Sequence, residues 1–133
     1  MDFTFTEDQE ALRRTVRDFA ARGMTPFADE WEERAEFPRD LFRKMGELGL
    51  AGMACPEEYG GLGLDRLTTA IVGEEIGYAY RPASFIFVHN MVLSLLYQFG
   101  SAEQRERWVS PLARGQKLAA FALTEPHAGS DAA

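Results

Sequence analysis

A chain of 133 residues fits one domain of ordinary size, roughly 150 residues, and excludes most multidomain enzymes as complete entities. With 46% hydrophobic and 26% charged residues, the composition is that of a chain with a core rather than a disordered tail. The 14 Lys and Arg against 21 Asp and Glu leave a net charge of -7, which opposes a phosphate backbone and sets nucleic acid aside as a partner.

From the amino terminus, residues 1–9 are acidic and mixed in polarity, with neither a basic and apolar leader nor an Arg-rich transit sequence. Thr6 with Gln9 forms a capping box, and Leu12, Val16, Phe19 and Ala20 recur on one helical face, predicting a helix over about 7–21. Thr25 is expected to cap a second short segment with Pro26 in its first turn. The acidic run Asp29, Glu30, Glu32, Glu33 around Trp31 reads as a solvated face. Pro38 opens a third helix with Leu41, Phe42, Met45 and Leu48 three and four apart, and Gly49 offers its stop.

The small apolar stretch 50–55 turns inward. It includes the single cysteine, Cys55, which can form neither an internal disulfide nor a zinc cluster and reads as a small buried apolar residue. One cysteine is the usage of a reducing compartment, and the expected location is the cytoplasm. Gly60, Gly61 and Gly63 then demand a turn-rich loop, which does not read as a phosphate cradle. A fourth helix over about 65–79 is expected to place Leu67, Ala70, Ile71 and Ile76 inward.

Arg81-Pro82 breaks the chain before an apolar helix over 83–99, interrupted by His89, Asn90, Ser94 and Gln98. It reads as the central core helix rather than a membrane span. Phe87, Met91 and Leu95 recur every four residues along it, the pattern of core packing, and His89 beside Asn90 reads as a hydrogen-bonded core histidine ahead of a contact to substrate. Ser101 with Gln104 is a second capping box, and a short helix with Trp108 runs to Gly115.

From Lys117 the pattern changes. The run 118–123 is short and continuously apolar, predicting a buried strand, yet the rest of the chain offers no strand to complete its ladder. The expected organisation is therefore a helical domain over 1–116, followed by 117–133 as the start of a truncated β-domain. The chain reads as cut.

The stretch Phe121-Ala122-Leu123-Thr124-Glu125-Pro126-His127-Ala128-Gly129-Ser130-Asp131 closely resembles the flavin-contacting signature of the acyl-CoA dehydrogenase family. Collinear with it are Phe37-Pro38, Gly46-Glu47-Leu48-Gly49-Leu50, Pro56-Glu57-Glu58-Tyr59-Gly60-Gly61-Leu62-Gly63, Glu74-Glu75-Ile76-Gly77, His89-Asn90 and Phe99-Gly100. The resemblance covers essentially the whole chain. It implies an all-α fold, a bundle of about six helices like the family's N-terminal domain, with one C-terminal β-strand beginning an absent β-domain.

The resemblance further implies FAD as cofactor and acyl-CoA as substrate, with α,β-dehydrogenation of the thioester as the reaction. Phe121 and Leu123 would lie against the isoalloxazine, Thr124 would hydrogen-bond its polar edge, and Gly129 and Ser130 would approach the diphosphate, Ser130 also touching acyl-CoA. Independently of any family, a Thr hydroxyl and turn amides at a cleft suit a polar ring edge and a diphosphate. By the same resemblance Phe87, Met91 and Leu95 would wall the acyl-chain pocket, which stands beside their reading as core.

The family's catalytic glutamate lies in its later helical domain, and none of Glu57, Glu58, Glu74, Glu75 or Glu125 matches it. This stretch alone is thus expected to be inactive, and an electron-transfer flavoprotein and a homo-oligomeric state are inherited expectations. The competing readings are an acyl-CoA oxidase or flavin monooxygenase of related architecture, and a stand-alone helical binding module.

Overall fold

The computed structural model describes residues 4–131, and their regular structure is helical. Helix α1 spans Glu7–Gly23. Thr6 Oγ1 accepts the Gln9 amide at 3.2 Å and Gln9 Oε1 accepts the Thr6 amide at 3.0 Å, so the expected capping box starts it. A 3-10 turn, Thr25–Phe27, leads into α2, Ala28–Glu33. The expectation for Thr25 is corrected here: the turn opens from Met24 without a side-chain cap, because the cap position falls on Met24, whose side chain has no oxygen to accept an amide, and Thr25 is already the first residue of the turn.

Helix α3, Arg39–Glu47, follows Pro38, whose φ of -77° suits entry into a helix. It stops where Leu48 donates to the Lys44 carbonyl and Gly49, at φ +78°, donates to that of Gly46. Leu41, Phe42 and Met45 face inward and Leu48 is exposed. The chain then dives into the core at Leu50–Gly52.

A buried turn needs partners for its backbone. Leu62 and Leu64 donate to the carbonyls of Gly52 and Met53 at 2.9 and 2.7 Å, and Gly63 donates to Cys55 at 2.9 Å. The glycine-rich loop is therefore a return path that seals 52–55, with its amides spent internally.

Helix α4, Arg66–Ala79, is capped by Asp65, which accepts the Thr68 amide at 2.7 Å. Its inward residues are Thr68, Ile71, Val72, Glu75 and Ile76, whereas Leu67 and Ala70 face outward. This corrects the expected face for those two residues, and the reason is electrostatic. Arg13 Nε donates to Glu75 Oε1 at 2.8 Å, and Arg17 reaches Oε2 through Nε at 2.8 Å and Oε1 through Nη2 at 2.7 Å. Seating Glu75 against α1 rotates Leu67 out.

A turn at Arg81–Ser84 precedes α5, Phe85–Phe99. Helix α6, Ala102–Gln104, begins at the second capping box, Ser101 with Gln104, and passes through a π-helical stretch, Arg105–Val109, into α7, Ser110–Ala113.

Two apolar clusters hold these pieces together. The larger joins Val16 and Ala20 of α1, and Met24 just beyond it, to Phe42 and Met45 of α3, Val72 and Ile76 of α4, and Ile86 of α5. The smaller joins Cys55 and Leu93 to Val109, Leu112 and Ala113. Burial of about 1.5–3 kcal/mol per large side chain makes these clusters the main source of stability.

The strand expected over 118–123 does not form. Among the described residues the one β-bridge is Glu125 with Ala128, and no backbone-to-backbone hydrogen bond engages 118–124. Leu118, Phe121 and Leu123 are exposed rather than buried. An apolar run becomes a strand only where a neighbour supplies the ladder.

Candidate functional site

Two elements frame the site: the segment 117–131 leaving α7, and the helix α5 beside it. Cross-links from α5 set the position of both. Asn90 is buried, its Oδ1 accepting the Met53 amide at 2.9 Å and its Nδ2 donating at 2.9 Å to the carbonyls of Leu50 and Ile86. His89 is fully buried. Its Nδ1 accepts the Ala119 amide at 3.0 Å and its Nε2 lies 3.1 Å from the Leu112 carbonyl. The Ala119 amide can only donate, so Nδ1 carries the lone pair and Nε2–H donates to Leu112. Burial pushes the His89 pKa below its ordinary 6.5, favouring this neutral ring. His89 is thus the hydrogen-bonded core histidine expected, with an added tie to the exit segment that sequence reasoning missed.

Beyond Ala119 the segment carries the residues assigned to the cofactor. Phe121 is 46% and Leu123 52% exposed, so their apolar surface is open to a flat ring. A tight turn follows, in which Glu125 and Ala128 exchange backbone hydrogen bonds of 2.8 and 3.3 Å. It folds Gly129 back on Thr124: a methyl built on Gly129 would lie 3.6 Å from Thr124 Cγ2 and 3.9 Å from Oγ1. An exposed hydroxyl and a side-chain-free backbone therefore stand side by side, and exposed Ser130 follows at once. The geometry fits a flavin, whose polar ring edge suits the hydroxyl and whose diphosphate suits close backbone approach at Gly129.

The three residues assigned to the acyl pocket do not share one environment. Phe87 packs on the larger core, its ring 3.0 Å from where a methyl on Gly73 would stand. Met91 and Leu95 are 42% and 40% exposed and belong to an outward apolar stripe with Val88 and Phe99. The core reading thus holds for Phe87 and fails for Met91 and Leu95, since α5 turns those positions away from both clusters.

Arg81–Phe99 is long and apolar enough to cross a membrane by length and composition alone. His89 and Asn90 on its inner face are engaged by α7 and the 50–53 turn, as a helix packed within a protein requires. Cys55 is buried and its pKa is pushed up to about 11 by burial and the charge of Glu58, the opposite of a reactive thiolate. Glu75 is held down at about 2 by Arg17 and Arg13 and is structural.

Comparison with known proteins decides the family, since acyl-CoA dehydrogenase, N-terminal domain, matches residues 6–116. The chain belongs to the acyl-CoA dehydrogenase family. A probable acyl-CoA dehydrogenase of Bacillus subtilis is 44% identical over 134 residues, covering 99% of this chain and 35% of that protein. The crystal structure of an acyl-CoA dehydrogenase from Geobacillus kaustophilus superposes with a TM-score of 0.89 at 31% identity, over 98% of this chain and 35% of that one. PigA with FAD and proline superposes with a TM-score of 0.91 at 30% identity, over 99% and 36%. The chain spans about a third of the length of the relatives it matches. The helical architecture is that of the family's N-terminal domain.

Proposed function

We propose that this chain is the N-terminal part of an FAD-dependent acyl-CoA dehydrogenase acting on acyl-CoA thioesters in fatty acid metabolism. The observation that carries this reading is the turn that brings Gly129 against Thr124, directly after the exposed pair Phe121 and Leu123. These residues occur in a chain whose helices match the family. FAD, when bound, supplies the acceptor for the β-hydrogen.

The residues here bind and orient. Phe121 and Leu123 offer apolar contact to the ring, Thr124 a hydroxyl to its polar edge, Gly129 and Ser130 backbone and hydroxyl to the diphosphate, with Ser130 also reaching acyl-CoA. Outward-facing Met91 and Leu95 are proposed to wall the acyl chain, with Phe87 supporting them from the core side. No catalytic base is assigned within the stretch. Glu75 is committed to two arginines and Glu125 is exposed at a surface turn.

The reading also proposes residues 1–116 as one domain and 117–133 as the beginning of the next, supported by the end of helix at Ala113 and by the lack of backbone-to-backbone hydrogen bonds over 118–124. An electron-transfer flavoprotein as electron acceptor, a homo-oligomeric whole protein and a cytoplasmic location without a membrane span belong to the same proposal, the last supported by the lone buried thiol.

The test is to add acyl-CoA anaerobically to the whole encoded protein loaded with FAD. Bleaching of the flavin absorbance, with slow reoxidation by oxygen and fast reoxidation by an electron-transfer flavoprotein, supports a dehydrogenase. Fast turnover with oxygen alone would make it an oxidase.

A further inference from the structure

We propose that His89 is a positioning residue for the flavin-contacting segment, its Nδ1 holding the Ala119 amide so that Phe121, Leu123 and Thr124 are presented at a fixed place beside α5. The inference rests on the flavin reading of those three residues and adds to it a residue that does not itself touch the cofactor.

Three observations carry it. The Ala119 amide donates to His89 at 3.0 Å, a hydrogen bond that ties the segment to the helical body beside the packing of Ala119 on the smaller apolar cluster. After the Lys117 amide bonds to Pro111, the next backbone-to-backbone bond is that of Glu125 with Ala128, inside the terminal turn itself. Phe121 lies two residues past Ala119, at most about 7 Å of chain, so movement of the one carries the other.

The histidine is itself immobilised. Its opposite nitrogen donates to the Leu112 carbonyl at 3.1 Å, at the end of α7, and the ring of Phe42 meets it edge-on with centroids 5.2 Å apart. One neutral imidazole thus links α5, α7 and the segment, using its acceptor for the segment and its donor for the body. Only a side chain with an acceptor on the near side and a donor on the far side completes this arrangement.

That asymmetry supplies the test. Asn at position 89 places an amide oxygen near the Nδ1 position and keeps an acceptor for Ala119, Gln reaches instead toward the Nε2 position and keeps the donor to Leu112, and Phe keeps the ring but neither bond. Hydrogen exchange at the Ala119 amide and FAD dissociation constants are measured on the whole encoded protein and on His89→Asn, His89→Gln and His89→Phe.

The expected result is that His89→Gln and His89→Phe exchange faster at Ala119 and bind FAD about fivefold or more weakly, the scale of one lost hydrogen bond. His89→Asn should restore both. Should His89→Phe not fold, the Asn and Gln pair carries the comparison, with thermal midpoints checking that both are equally folded. Unchanged exchange at Ala119, or faster exchange with an unchanged FAD constant in His89→Gln, would overturn the role of His89. Failure of the unsubstituted protein to bind FAD would overturn the flavin reading itself, and the positioning role with it.

Discussion

Gly46 of α3 and Gly115, just beyond α7, touch backbone to backbone: a methyl built on Gly46 would stand 2.9 Å from the Gly115 Cα, and one built on Gly115 would stand 2.7 Å from the Gly46 Cα. Gly115 also has φ +68°, a conformation that disfavours a side chain. This crossing aims the chain as it leaves the helical body, immediately before the segment held by His89. Gly46→Ala should cost about 1–3 kcal/mol, as overpacking of a tight contact does. Urea unfolding should show a lower midpoint with an unchanged slope.

Glu75 should dominate the acid sensitivity of the fold. Its pKa falls from an ordinary 4.5 to about 2 in the folded chain through Arg17 and Arg13, so the unfolded state binds the proton first. The stabilisation is therefore fully present above about pH 4.5 and is lost as pH falls toward 2. Glu75→Gln should lose about 2–3 kcal/mol at neutral pH, the scale of hydrogen bonds to charged groups, and should flatten stability between pH 5 and 3. Chemical denaturation across that range checks it.

Asn90→Leu should be more damaging than its similar volume suggests. The Met53 amide and the Leu50 carbonyl would lose their side-chain partner inside the core. Each unsatisfied buried group costs about 1–3 kcal/mol, and the thermal midpoint should fall accordingly.

Met91→Ala and Leu95→Ala should change stability by less than about 0.5 kcal/mol, as expected for exposed positions. In the whole protein the same substitutions should move acyl-chain preference toward longer or bulkier substrates. A loss of several kcal/mol would return both residues to the core.

The helices were legible because their signals are local. Thr6 with Gln9 and Ser101 with Gln104 form their capping boxes within four residues, and the stop at Gly49 lies one turn from its partners. Periodicity alone puts Leu67 and Ala70 on the wrong face of α4, because a charged residue on the inner side, Glu75, finds its partners 58 and 62 residues away. Periodicity counts apolar residues and is blind to such pairs. The run 118–123 has strand composition, but a ladder is a property of two segments and is absent among the described residues. The signature 121–131 was readable as a motif. The turn that folds Gly129 onto Thr124, and the grip of His89 on Ala119, emerge only from the packed chain.

The most direct test of the account is a crystal structure of the whole encoded protein with FAD. The account predicts the Thr124 hydroxyl within hydrogen-bonding distance of the flavin's polar ring edge, the Phe121 and Leu123 side chains against the ring, and Gly129 and Ser130 beside the diphosphate. A flavin seated elsewhere, with the 121–130 segment out of contact, would contradict it.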